Sequence, residues 1–234
     1  IFSRIKKRKK INKFDRLNLN FYRKAQKAFL EIANGINVEP IVYFYLFEIF
    51  QSLSQLDEAE KYLKKFIDLD KKNHIAVNNL ANLYLKKKDY DKAEKYYLKA
   101  IDLKQDYLTA ISNIALYYQG IGKITEAKKY YNKAIILSPK NLGIYFNLSK
   151  LDKNLIDQKK IKFITKLLEE KNLDEFNYAC GYFLLAESNR TKKEYSKEIN
   201  HLKIAHEYAF KHKKDFNEQS VKYWLNYLPK NYNK

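Results

Sequence analysis

Asparagine is the side chain whose recurrence suggests chemistry in this sequence. Asn79, Asn113 and Asn147 stand 34 residues apart, and Asn78 and Asn82 lie close to the first of them. A carboxamide carries a hydrogen-bond donor and an acceptor, so it can pair with a peptide unit whatever side chain that unit bears. The same groups can equally tie neighbouring helices of the protein together, and the spacing leaves both roles open.

Residues for catalysis or metal binding stand in no recognisable pattern. The five glycines form no phosphate-binding loop, and no two of the four histidines are four residues apart. Cys180 is the only cysteine, which predicts a lone buried thiol and no internal disulfide. Carboxylates such as Glu60 have a lysine four residues on, here Lys64, which is typical of solvated helix faces. We therefore expect no enzyme activity, no cofactor and no metal.

The asparagines belong to a longer pattern with a period of 34 residues. Ala59, Ala93 and Ala127 follow this step, and each stands in a similar phrase of charged and aromatic residues. The same step relates Phe50, Tyr84 and Tyr118, and also Leu69, Leu103 and Leu137. A period of this length, in a chain with 5 glycines and 3 prolines, predicts an array of helix–turn–helix repeats.

Residues 74–107 carry the full set of columns, through Leu80, Ala81, Tyr84, Ala93, Tyr97 and Ala100. This pattern resembles the tetratricopeptide repeat (TPR) family, in which a large apolar, a small apolar and an aromatic residue mark the first helix. An alanine, an aromatic residue and a second alanine mark the second helix. The resemblance implies an all-α TPR-type solenoid of antiparallel helix pairs that form a right-handed superhelix, with the first helices lining a concave face.

The repeat register also predicts how the chain is organised. The expected segments are a basic N-terminal segment, a degenerate leading or capping helix, three repeats, an irregular helical segment, a degenerate repeat, and a C-terminal capping helix with a tail. They occupy residues 1–16, 17–39, 40–141 (as 40–73, 74–107 and 108–141), 142–178, 179–212 and 213–234 in turn. Asp152 replaces an expected aromatic residue, and Asn189 and Glu198 depart from the pattern within the degenerate repeat.

Two known uses of TPR domains bear on the asparagines. In the TPR arm of O-linked N-acetylglucosamine transferases, asparagines in the corresponding column form a ladder that holds a peptide backbone. That resemblance implies a peptide-binding role for the three asparagines of the column, which their two neighbours would widen. The clamp of TPR co-chaperones for an acidic chaperone tail does not fit. Its basic columns hold Asn78, Gly143 and Asn147, which cannot neutralise a carboxylate.

A second resemblance covers about residues 145–229. The phrases that carry it are Leu148-Ser149-Lys150-Leu151, Leu167-Leu168-Glu169-Glu170-Lys171-Asn172-Leu173 and Phe183-Leu184-Leu185-Ala186. They are similar to the region that joins TPR repeats to the catalytic domain in bacterial TPR–sulfotransferase proteins. There a strand and a Pro-Arg-Ser-Gly-Thr loop follow, and neither occurs before Lys234. The alternative reading is therefore the noncatalytic arm of a sulfotransferase, whose catalytic domain is a partner in the same gene product.

The net charge of +19 is densest near the N-terminus, at Arg4, Lys6, Lys7, Arg8, Lys9 and Lys10. Such a run can attract nucleic acid or an anionic membrane surface, which gives a second alternative. The chain is also rich in Lys, Asn, Ile, Tyr and Phe, whose codons are AT-rich. An AT-rich genome would therefore produce the same charge without an anionic partner, and we favour this explanation.

No apolar stretch is long enough to cross a membrane, and no secretory signal follows the basic run. These observations favour a cytoplasmic protein. Taken together, the sequence predicts a noncatalytic TPR scaffold that presents a concave groove to a protein or peptide partner.

Overall fold

The structure is a computed structural model that describes residues 13–35, 38–152 and 154–212. Within those ranges the chain forms α-helices and no strand, which confirms the all-α prediction. The helices are α1 Lys13–Ala33, α2 Pro40–Ser52, α3 Leu56–Leu69, α4 His74–Lys86, α5 Tyr90–Leu103, α6 Leu108–Gly120, α7 Ile124–Leu137, α8 Leu142–Ser149, α9 Gln158–Glu169, α10 Glu175–Thr191 and α11 Tyr195–His212. The basic run near the N-terminus and the predicted capping helix with Trp224 lie outside the described residues.

The chain divides into two compact units, with the boundary between Ala110 and Ile111. In the first unit α2 packs against α3, and α4 packs against α5, as two helical hairpins. Helix α1 packs against α2 and begins earlier than the predicted start at residue 17. The division of the chain into numbered repeats stays a prediction.

A left-handed residue ends the first helix of each hairpin at the same repeat position. Ser54, Lys88 and Gly122 have φ values of 59°, 62° and 80°, and they are one 34-residue period apart. The following backbone N–H donates to a carbonyl five residues back, as from Asp89 to Tyr84 at 2.9 Å. This bond satisfies a carbonyl that the helix end leaves without a partner. The turn geometry therefore repeats although only one of the three residues is a glycine.

Small residues allow the two helices of each hairpin to approach closely. Ala59 and Ala93 are fully buried, and the aromatic rings of Tyr84 and Tyr97 fill the space beside such contacts. The column of Leu69, Leu103 and Leu137 differs, because all three side chains are exposed. These leucines are the last residues of their helices, so the repeat period is maintained there without burial.

A charged network joins α3 to α4 in the first unit. The Glu60 carboxylate accepts hydrogen bonds from the Tyr84 hydroxyl at 2.8 Å and the Lys87 ammonium at 2.6 Å, and pairs with Lys64 at 2.7 Å. Burial alone would raise the pKa of Glu60, but the bonds from Lys64, Lys87 and Tyr84 outweigh it and lower the pKa to about 2. Glu60 therefore belongs to a structural network, which corrects its prediction as part of a solvated face.

In the second unit α10 packs against α8, α9 and α11. Two glycines allow the close approach, because a Cβ atom at Gly143 would lie 2.5 Å from the Phe176 ring, and one at Gly181 would lie 2.8 Å from Leu142 and from Leu168. Helix α8 is only eight residues long. The backbone then turns at Asp152, whose carboxylate accepts from Lys128 at 3.1 Å and from the Asn154 N–H at 3.2 Å.

The buried polar residue of α10 has a partner on α11. Asn189 is 8% exposed, and its amide nitrogen lies 2.8 Å from Nδ1 of His201. Burial and the charge of Lys197 lower the pKa of His201, which favours the neutral ring that can accept this bond. The departure of Asn189 from the repeat pattern is thus accommodated by a cross-helix hydrogen bond.

Candidate functional site

The first helices of the first unit share an outward surface of apolar and amide side chains. On α2, Ile41 and Tyr45 are 43% and 44% exposed. On α4, Ile75 is 46% exposed and Asn79 is half-buried. Residues four apart lie on one side of a helix, so each pair forms a short stripe. We call these four residues the first-helix face.

A hydrogen bond shows that the two stripes belong to neighbouring helices. Lys86 Nζ donates to Gln51 Oε1 at 2.9 Å, and these residues lie one turn or two beyond Asn79 and Tyr45 on their helices. Lys86 is on the same side of α4 as Asn79, since seven residues make almost two turns. Helices α2 and α4 therefore lie side by side at this surface.

The predicted asparagines of α4 occupy three different environments. Asn78 is only 2% exposed and belongs to the core. Asn82 is half-buried, and its Oδ1 accepts a 2.6 Å hydrogen bond from the hydroxyl of Tyr97 on α5. Asn79 is half-buried on the first-helix face, and its side chain makes no hydrogen bond within the described part of the chain. Asn79 is thus the member of this group with spare hydrogen-bonding capacity.

The bond between Tyr97 and Asn82 holds the two helices of one hairpin together. Burial raises the pKa of Tyr97 to about 12, so the hydroxyl remains protonated and donates. A comparable bond occurs in the second unit, where the Tyr131 hydroxyl donates to Gln119 Oε1 at 2.6 Å. One acceptor of Asn82 is thus used inside the protein.

The other two predicted asparagines belong to the second unit. Asn113 lies on α6 and Asn147 on α8, and both are half-buried. Among the described residues no side-chain hydrogen bond reaches Asn147. The peptide-binding role of all five asparagines stays a prediction.

Sequence reasoning missed the aromatic member of the asparagine column. Tyr45 stands 34 residues before Asn79 and is exposed at the equivalent place on α2. The period was sufficient to find it, but the search considered carboxamides alone. The exposed isoleucines of the same face were missed because an isolated apolar residue in a helix is more often part of the core.

Two of the columns that reject the co-chaperone clamp are unsuitable for a cation in this structure. Asn78 is buried, and Gly143 lies against the Phe176 ring so closely that even a Cβ atom would not fit. A lysine at either position would bury an ammonium group or separate two helices.

Groups for redox or metal chemistry are not assembled in the part of the chain that the structure describes. No cluster of three metal-binding side chains occurs there. Cys180 is a free thiol, 2% exposed, and burial raises its pKa to about 12, which confirms the prediction of a buried cysteine. Every described helix is too short or too polar to span a bilayer.

Comparison with known proteins identifies the repeats. Models of the tetratricopeptide repeat match residues 73–140 and 48–73. No curated protein matches the sequence significantly.

Several solved structures have a similar fold. YrrB, a TPR protein with an unusual peptide-binding site, is 16% identical, with 78% of this chain and 93% of that chain covered and a TM-score of 0.53. MamA is 18% identical, with 76% and 96% covered and a TM-score of 0.53. The first TPR domain of Spaghetti (RPAP3), bound to an HSP90 peptide, is 27% identical, with 52% and 98% covered and a TM-score of 0.46. The chain therefore carries tetratricopeptide repeats over residues 48–140 and has the all-α fold of a TPR-type solenoid.

Proposed function

We propose that this chain is a noncatalytic scaffold that binds a polypeptide through the first-helix face. The observation that carries the proposal is the exposure of Ile41, Tyr45 and Ile75 next to Asn79 on two neighbouring helices. Folding leaves these apolar groups in water although the same unit buries its other large side chains. A partner that covered them would gain about 25 cal/mol for each Å² of apolar area removed from water.

Asn79 supplies the polar part of the proposed interaction. Its carboxamide can donate to a peptide carbonyl and accept from a peptide N–H. An extended segment of any sequence offers both groups, whereas the neighbouring tyrosine and isoleucines would select apolar side chains. The surface suits a short polypeptide segment better than a small polar metabolite, which the exposed apolar side chains would not favour.

The asparagines of the second unit extend the proposal. Asn113 and Asn147 stand in the same repeat column as Asn79, and we propose the same role for them within their own unit. Asn78 and Asn82 support the surface from behind, because the first is buried and the second accepts the Tyr97 hydroxyl. YrrB offers a precedent that the TPR fold can carry a peptide-binding site.

Selection from a phage-displayed library of random dodecapeptides would test the proposal. We expect recovered peptides to bind the purified chain, and Asn79→Ala and Tyr45→Ala each to weaken binding at least fivefold by fluorescence anisotropy. Asn132→Ala is the matched control, because Asn132 is exposed on the second helix of a hairpin. Peptides that bind all three variants equally would place the interaction elsewhere and contradict the proposal.

The narrower predictions about biological context depend on other measurements. A sulfotransferase domain in the same gene product, a bacterial source and a cytoplasmic location stay predictions. Reading the coding sequence beyond Lys234 tests the first of them. A continuing frame with a strand and a Pro-Arg-Ser-Gly-Thr-like loop would support it, and a stop codon would contradict it.

The nucleic-acid or anionic-lipid alternative depends on Arg4 to Lys10, which lie outside the described residues. It predicts binding that falls steeply with salt, with a slope that decreases when these residues are replaced. Equal retention on uncharged and anionic surfaces at 50 mM and 200 mM salt would exclude it.

A further inference from the structure

A cavity of about 490 Å³ lies between α1 and α2 in the first unit, beside the first-helix face. Each helix contributes one stripe of residues at the spacing i, i+3, i+7, which lies along one side of a helix. The stripe on α1 is Tyr22, Ala25 and Phe29, and the stripe on α2 is Tyr45, Glu48 and Ser52. The cavity is thus bounded by two aligned helix faces.

The wall of the cavity combines aromatic rings with one carboxylate. The rings of Phe29 and Tyr45 have centroids 5.4 Å apart and are inclined by 52°, while Tyr45 remains 44% exposed. Among the described residues that line the cavity, Glu48 is the only one with a charged side chain. Gln51 and Ser52 add oxygen atoms that can accept hydrogen bonds.

From this arrangement we infer that the cavity binds a cationic side chain, arginine before lysine, of the partner polypeptide. The inference rests on the proposed function for the presence of that polypeptide. The face of an aromatic ring attracts a cation, and the attraction increases where water is displaced. A guanidinium group can stack on Tyr45 while it donates to the Glu48 carboxylate, which an ammonium group does less well.

The same wall disfavours the other classes of side chain. An acidic side chain would meet the Glu48 carboxylate and be repelled. A leucine would contact the rings but would remove water from Glu48 without replacing its hydrogen bonds. The arginine side chain satisfies both parts, since its methylene groups can pack on Ala25 and Ile49 while its head reaches the carboxylate.

One protein cation opposes the ligand and thereby provides a sharp test. Lys86 lies at the edge of the cavity, where its Nζ donates to Gln51 Oε1 at 2.9 Å. Removal of this charge should strengthen the binding of a cation and weaken the binding of an anion. Lys86→Gln therefore reports the sign of the ligand charge.

The experiment is a titration with N-acetyl-arginine amide, followed by NMR shifts of Ala25 and Ile49. N-acetyl-citrulline amide is the neutral control of the same shape, and N-acetyl-leucine amide is the apolar control. We expect the arginine derivative to bind at least threefold more tightly than either control. Glu48→Gln should abolish that preference, Glu31→Gln on the exposed side of α1 should preserve it, and Lys86→Gln should increase it. The melting temperature of each variant shows that the fold is retained.

Equal binding of arginine and citrulline derivatives, tighter binding of the leucine derivative, or no effect of Glu48→Gln would overturn the inference. The library peptides separate this result from failure of the proposed function. Peptides that depend on Asn79 but tolerate citrulline in place of arginine would overturn the cavity inference alone. Arginine binding in the cavity without any peptide that depends on Asn79 would overturn the proposed function alone.

Discussion

At the scale of the residue, one carboxamide column contains side chains with different duties. Asn82 gives an acceptor to Tyr97 on the paired helix, whereas Asn79 faces outward with no hydrogen bond among the described residues. Asn78 is enclosed in the core. A substitution scan should therefore separate stability from binding within a single turn of α4.

The bond between Asn82 and Tyr97 can be measured with a double-mutant cycle. We expect Asn82→Ala and Tyr97→Phe each to lower the free energy of unfolding by about 1–2 kcal/mol, because each removes one partner of a largely buried hydrogen bond. The double variant should lose less than the sum, with a coupling of about 0.5 kcal/mol or more. Urea denaturation provides the measurement. Asn79→Ala should change stability by less than about 0.5 kcal/mol, and strict additivity would contradict the assigned bond.

Glu60 makes the first unit sensitive to acid. Its pKa of about 2 lies below its ordinary value of 4.5, so the folded state holds the carboxylate and its stabilisation is complete above pH 4.5. The contribution is lost as the pH falls toward 2, because protonation removes the bonds to Lys64 and Lys87.

Glu60→Gln should therefore cost about 2–3 kcal/mol at pH 7, because it removes hydrogen bonds to two charged groups. The difference from the unaltered chain should shrink steadily between pH 5 and pH 2 in urea titrations. Glu58→Gln is the control, since Glu58 pairs with Lys61 at the surface with 46% of its side chain exposed. A difference that stayed constant with pH would show that the charge of Glu60 contributes nothing.

At the scale of the element, the hairpin turns contain an opportunity for stabilisation. Lys88 adopts the left-handed conformation at a φ of 62°, which costs a residue with a Cβ atom about 1–2 kcal/mol. Lys88→Gly removes that cost but increases the entropy of the unfolded chain. We expect a net gain of about 0.5–1 kcal/mol in the free energy of unfolding.

Lys95→Gly, at an exposed position inside α5, is the control for this prediction. It should lose about 1 kcal/mol, because glycine is a poor helix former. If both glycine variants lost stability equally in chemical denaturation, the turn would not hold the residue in a strained conformation.

The contact of α10 with α8 and α9 depends on the absence of a side chain at Gly181. A Cβ atom there would lie 2.8 Å from Leu142 Cδ1 and from Leu168 Cδ2, and both leucines are buried. Gly181→Ala should cost about 1–3 kcal/mol through forced repacking. Gly120→Ala is the control, since a Cβ at Gly120 meets no atom within 4 Å. Thermal unfolding of the two variants should move in opposite directions or leave Gly120→Ala unchanged.

At the scale of the whole molecule, the 34-residue period was sufficient to predict the fold class. Small residues such as Ala59 and Ala93 occur where two helices meet, and no other residue type fits such contacts at every repeat. The same period also brought Leu69 and its equivalents into a column, although they are exposed. Periodicity locates equivalent positions but does not reveal which of them become buried.

The candidate site was less accessible from the sequence. The role of Asn82 depends on Tyr97, and that of Asn189 depends on His201, and both partners lie on other helices. Such pairings follow from the rotation and separation of packed helices, which composition does not encode directly. The cavity beside α1 required the structure for the same reason, because its two stripes come from helices that share no motif.

The buried thiol of α10 gives the second unit an internal reporter. Cys180 is the only cysteine of the chain and packs among residues of α8, α9 and α10. A thiol reagent can reach it only when those helices separate, and the thiolate forms only outside the apolar surroundings that raise its pKa. The rate of modification under native conditions therefore measures how often this part of the array opens, without any label being introduced.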